Sequence, residues 1–125
     1  MKRVLDMKSK NILSSFKYAF QGIATGIKKE RNMLIHILIM IIVIIFGIIF
    51  KIDKTEWMIC IILFAMVIAG ELFNTSIETI VDMITLEKNE KAKIAKDVSA
   101  GAVLVLAIGS ACIGLIIFVP KIFNF

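Results

Sequence analysis

The residues best suited to chemistry lie in Glu71-Leu72-Phe73-Asn74-Thr75-Ser76-Ile77-Glu78-Thr79-Ile80-Val81-Asp82, where carboxylates and an amide interrupt an otherwise apolar region. Asn74, Glu78 and Asp82 follow Glu71 at offsets of 3, 7 and 11, and on a helix turning about 100° per residue all four stay within roughly 60° of one face. A carboxylate in or beside hydrocarbon is costly, so this stripe points to a functional site, with a solvated helix extension as the alternative for Asp82 above all. With a rise of ~1.5 Å per residue, Glu71 and Glu78 stand about 10 Å apart along the axis. They are too far apart to share one proton and are suited to different tasks. The deeper one could deprotonate a group presented by a lipid, while the one nearer water could stay ionised and hold a divalent cation through oxygen.

Lys96-Asp97 adds a cation and a carboxylate further along the chain, and Glu30 ends an earlier amphipathic segment at a matching depth. Carboxylates for Mg²⁺, a lysine for phosphate and a buried candidate base are the parts of phosphoryl transfer, where catalysis is mostly positioning and charge neutralisation. A proton or ion pathway, in a channel or transporter subunit, could use the same intramembrane carboxylates.

The elements that must position these groups follow from composition. Hydrophobic types make up 59% of the 125 residues, and mean hydropathy is +0.93, more than a water-soluble domain of this size can bury. Lys and Arg number 15 against 10 Asp and Glu, a net charge of +5. Together with the hydropathy, that fits neither a disordered tail nor a typical nucleic-acid module, so no nucleic-acid partner is expected. The length accommodates about three spans of ~20 residues and one amphipathic segment, leaving no room for a separate soluble catalytic domain.

The reading is an all-α membrane protein forming one domain over 1–125. Met33 to Phe50 is uncharged and almost wholly apolar, and forms the first span. The charged connector 51–56 leads to Trp57, an interfacial anchor, and to a second span over 57–84 that includes a cytoplasmic extension. The third span covers 98–119 after the charged stretch 87–96, and Pro120 is expected to end it. Before the first span, Ile12, Phe16, Ala19, Phe20, Ile23 and Ile27 recur at helical spacing opposite Lys10, Lys17, Gln21 and Lys28. That predicts a helix over about 9–30 lying in the interface with its cations toward anionic headgroups, the alternative being an ordinary soluble amphipathic helix.

Lys and Arg are dense before the first span and between the second and third, but sparse in the 51–56 connector. The positive-inside rule then places the N-terminus and the second connector in the cytoplasm and the C-terminus outside. The Lys-dotted N-terminus is not expected to be a cleaved signal. Cys60 and Cys112 sit in apolar runs and read as small hydrophobes rather than as disulfide or metal partners. Gly22-Ile23-Ala24-Thr25-Gly26-Ile27-Lys28 fails the spacing of a phosphate loop and fits a close-packing pair of small residues. His36 is more simply read as a hydrogen-bonded residue than as a catalyst. Ser110 and Gly114 are read as packing positions.

The order Glu71-Leu72-Phe73-Asn74-Thr75-Ser76-Ile77-Glu78, then Val81-Asp82, then Ala95-Lys96-Asp97 resembles the signature of the small integral-membrane prokaryotic diacylglycerol kinase family. Ser15-Phe16-Lys17-Tyr18-Ala19-Phe20 and Glu30-Arg31-Asn32, with His36 beyond, resemble its Gram-positive branch, the undecaprenol kinases. The resemblance covers nearly the whole chain. It implies a homotrimeric bundle with three transmembrane helices and a surface helix per subunit, an ATP- and Mg²⁺-dependent kinase acting on a membrane lipid alcohol. Undecaprenol is the first expected substrate and diacylglycerol the alternative. It further implies Glu71 as general base, Glu30 and Glu78 as Mg²⁺ ligands, and Tyr18, Lys96 and Asp97 as nucleotide contacts. Glu87, Lys88 and Asn89 would lie beside the nucleotide, and Asn74 would help order the site. Two positions depart from the family's pattern: Met83 stands where a basic residue is common, and Asn11 beside Lys10 where some members have an early arginine.

Overall fold

The computed structural model of the chain describes residues 11–124. They form four helices: α1 (Ile12–Lys29), α2 (Arg31–Ile49), α3 (Lys54–Ile84) and α4 (Glu90–Phe123). The helix expected over about 9–30 is seen as Ile12–Lys29, its residues 9 and 10 lying outside the described residues, with Asn11 as its cap: the Asn11 side chain accepts from the Ser14 N–H at 2.8 Å. The last three helices are long and apolar enough to cross a membrane.

Glu30 is the whole connection between α1 and α2. Its extended backbone (φ −102°, ψ 117°) closes α1 and opens α2, and its N–H donates to Gly26 O. A residue at a helix start usually turns its side chain onto the first free N–H groups, but Glu30 makes no such bond. Its carboxyl is left for another use.

At the opposite end, the turn after α2 uses Lys51 with a positive φ of 52°, while α3 starts at Lys54, before Trp57, because Asp53 and Glu56 form a reciprocal capping box. Trp57 lies across Gly47, where a Cβ would come within 2.7 Å of its ring, so the glycine permits the contact. Glu56 also pairs with Lys121 Nζ at 2.8 Å, tying the start of α3 to the end of α4.

The helix α4 differs from expectation at both ends. It begins at Glu90, capped by Asn89, so Lys91, Lys93, Lys96 and Asp97 lie on a helix rather than in a connector. It also continues through Pro120 to Phe123. Proline removes one N–H near a helix end, and the surrounding backbone gains more by keeping its remaining hydrogen bonds than by unwinding in apolar surroundings. Asn124, in the left-handed region, closes the helix with its N–H on Pro120 O.

The packing is led by α3 against α4, which approach closely at Gly70, where a Cβ would meet Leu106 at 2.7 Å. Gly26 lets α1 lie against α3, its missing Cβ replaced by Leu72. Gly22 has open space around it, so only one member of the small-residue pair serves packing. Ile12, Phe16 and Phe20 on α1, and long rows of Ile and Leu on the other helices, face outward. A soluble amphipathic helix would bury the α1 stripe; here it is uncovered within the chain.

Candidate active site

Along the α3 stripe, burial falls from one end to the other. Glu71 is 1% exposed and Asn74 is buried, Glu78 is half-buried, and Asp82 is exposed. The four predicted residues share one helix, but they meet different partners.

Glu71 has the most unusual surroundings. Its Oε1 lies 2.9 Å from His36 Nε2 on α2, a contact not aligned as a full hydrogen bond, and its Oε2 has no partner. The neighbouring Thr75 hydroxyl donates to the Glu71 main-chain oxygen at 3.0 Å and so does not reach the carboxylate. A buried carboxylate oxygen without a donor is destabilising for the fold alone, which makes it a place for an incoming proton. The histidine, read from the sequence only as a hydrogen-bonded residue, is therefore the side chain that faces the candidate base.

Nearer the α1–α2 joint, Glu30 brings its uncapped carboxyl close enough to Glu78 for the two negative charges to act directly on one another. Asn74 orders this pair: its Nδ2 donates to Glu78 Oε1 at 3.3 Å, and its Oδ1 accepts from the buried Ser99 Oγ at 2.7 Å. Lys96 O, 3.0 Å away, is a second acceptor competing for the same Ser99 hydroxyl proton. Ser99 had no sequence signal, since one serine at the start of an apolar run is ordinary, but it anchors Asn74 to α4.

Among the described residues, no group of three or more His, Cys, Asp and Glu side chains forms a ready-made metal centre. Two facing carboxylates are nevertheless a fitting donor set for Mg²⁺, which is typically held by one or two carboxylates with phosphate oxygens and water completing its shell. Lys96, whose charge also acts on Glu78, pairs with Asp82 Oδ1 at 2.7 Å. Lys93 pairs with Asp97 one turn apart.

The residues expected near a nucleotide divide between two open clefts. Glu87, Lys88 and Asn89 line one of about 780 Å³ with Asp82, Lys93, Lys96 and Asp97. Tyr18 lines another of about 690 Å³ between α1 and α3, with Gly22, Gly26, Lys29, Ser76 and Thr79. A third, narrower cavity of about 210 Å³ runs between α2, α3 and α4, and Ser110 and Gly114 line it. No side chain fills the Cβ space of Gly114, and the buried Ser110 Oγ has no partner. These two positions border a void instead of a close helix contact.

A buried carboxylate, a pair of neighbouring carboxylates and nearby lysines, held on or at the ends of helices long and apolar enough to cross a bilayer, make a candidate group-transfer site in a membrane protein. Residues 17–118 match the family described as prokaryotic diacylglycerol kinase. The chain is 43% identical over 108 residues to an undecaprenol kinase of Bacillus subtilis, covering 86% of this chain and 88% of that protein. It is 32% identical over 115 residues to a diacylglycerol kinase of Synechocystis sp., covering 91% and 66%. It is 30% identical over 95 residues to a diacylglycerol kinase of Haemophilus influenzae, covering 76% and 80%. The chain belongs to the prokaryotic diacylglycerol kinase family and is a lipid kinase. The ion-pathway alternative therefore falls.

Proposed function

We propose that the protein transfers the terminal phosphoryl group of ATP to an alcohol dissolved in the cytoplasmic leaflet, with undecaprenol as first substrate and undecaprenyl phosphate as product. The observation that carries the mechanism is Glu71, 1% exposed and with Oε2 lacking a donor. Oε2 accepts the hydroxyl proton while the alcohol oxygen forms its bond to phosphorus and the bond to the departing ADP oxygen breaks. Glu30 and Glu78 would hold Mg²⁺, which neutralises charge on the phosphate oxygens. Asn74 holds the Glu78 carboxylate in place, and Lys96 and Asp97 act on the nucleotide beside the Glu87-Lys88-Asn89 loop. Tyr18 contacts the nucleotide from α1.

Undecaprenol ranks ahead of diacylglycerol because the relative named for it is 43% identical, against 32% and 30% for those named for diacylglycerol. The division of the residues proposed to face a nucleotide between two clefts supports a site completed between copies, and three copies is the number that the family resemblance implies. The distribution of Lys and Arg supports a cytoplasmic N-terminus and an external C-terminus, with ATP reaching Glu78 from the cytoplasm.

The test is reconstitution in vesicles with labelled ATP, Mg²⁺ and each lipid alcohol in competition. Label should enter undecaprenol preferentially. Preference for diacylglycerol would reverse the substrate order, and label in neither would defeat the proposal.

A further inference from the structure

We infer that His36 is the positioning residue for Glu71, holding Oε1 so that Oε2 faces the lipid hydroxyl. This rests on the reading of Glu71 as the base.

At 2.9 Å from Glu71 Oε1, His36 Nε2 is within donor distance, and a small rotation of either side chain would align an Nε2–H donor with the carboxylate. The polar side chains next to Glu71 on its own helix are engaged elsewhere. Thr75 bonds the Glu71 main chain, and Asn74 bonds Glu78 and Ser99. Among the described residues, His36 is the one basic side chain within 4 Å of the carboxylate.

The histidine is itself held. Met33, one turn earlier on the same face of α2, is fully buried, and this fixes that face toward the bundle. Beyond Met33, the His36 ring borders the narrow apolar cavity with Ile39, Met40, Val43 and Ser110. With Glu71 1% exposed, a polar contact to its carboxylate is strengthened by the low local dielectric.

A carboxylate has two equivalent oxygens and can rotate. Contact at one oxygen removes that freedom and leaves the lone pairs of the other available. The same contact could not be made by an apolar residue, so the ring acts on orientation, not merely on packing.

The full-length protein in vesicles containing undecaprenol tests this. His36→Ala should lower kcat by about a hundredfold, the scale of a misplaced reacting group, with KM for ATP unchanged. His36→Gln, whose side-chain amide can donate to Oε1, should keep most of kcat, and added imidazole should partly restore His36→Ala. Wild-type kcat in His36→Ala, or a loss that neither glutamine nor imidazole relieves, would overturn the inference. Glu71→Gln run alongside separates the two readings. If it is inactive while His36→Ala turns over normally, only the positioning role fails; if Glu71→Gln itself is active, the base assignment fails first. Should His36→Ala not fold, His36→Gln decides alone: retained kcat supports the role, and kcat as low as that of Glu71→Gln refutes it.

Discussion

Two hydrogen bonds decide where the Glu78 carboxylate sits, and both pass through Asn74. One comes from α3 itself and the other is relayed from Ser99 on α4, so the position of Glu78 depends on the packing of two helices. Glu78→Gln keeps the shape and the acceptor oxygen but loses the charge a divalent ion requires. It should raise the Mg²⁺ concentration needed for half-maximal transfer by about tenfold or more, the scale of one charge-assisted contact. A Mg²⁺ titration of transfer checks this, and an unchanged midpoint would remove Glu78 as a ligand. The Glu71, Asn74 and Glu78 set was legible because one helix face repeats at a known period. His36 and Ser99 were not, because their roles depend on which turn of one helix lies beside which turn of another, and no single-helix period encodes that register.

Helix ends show the same division. The capping box of Asp53 and Glu56 starts α3 earlier than the hydrophobic pattern suggests, and Asn89 starts α4 among the lysines. Charged residues that look like a connector are compatible with helix once a cap is supplied, and hydropathy is blind to caps. Glu56 has a second task in its pairing with Lys121 across the open end of the bundle. Glu56→Ala therefore removes a cap and an ion pair together and should lower stability by about 2 kcal/mol, whereas Lys121→Met removes only the pair and should cost about 1 kcal/mol. Unfolding of the purified variants in detergent measures the difference, and equal losses would show that the cap contributes nothing.

Across the whole molecule, the number of apolar helices was readable from length and hydropathy, since hydrocarbon demands long uncharged runs. The partition of the residues proposed to face a nucleotide was not, because clefts are formed by packing. Tyr18 faces one cleft and Lys96 another. If neighbouring copies bring these together, co-assembling Tyr18→Ala with Glu71→Gln should give more transfer than either variant alone. Activity no greater than the average of the two would place each site within one chain. The junction at Glu30 carries a last consequence. Because one residue joins α1 to α2, there is no slack to absorb a change in the tilt of either. Stretching or thinning the lipid sheet would shift the Glu30 carboxyl relative to Glu78, so mechanical tension becomes an input to metal affinity. Midpoints of Mg²⁺ dependence should accordingly differ between vesicles of short and long acyl chains, and a glycine inserted before Glu30 should erase that difference.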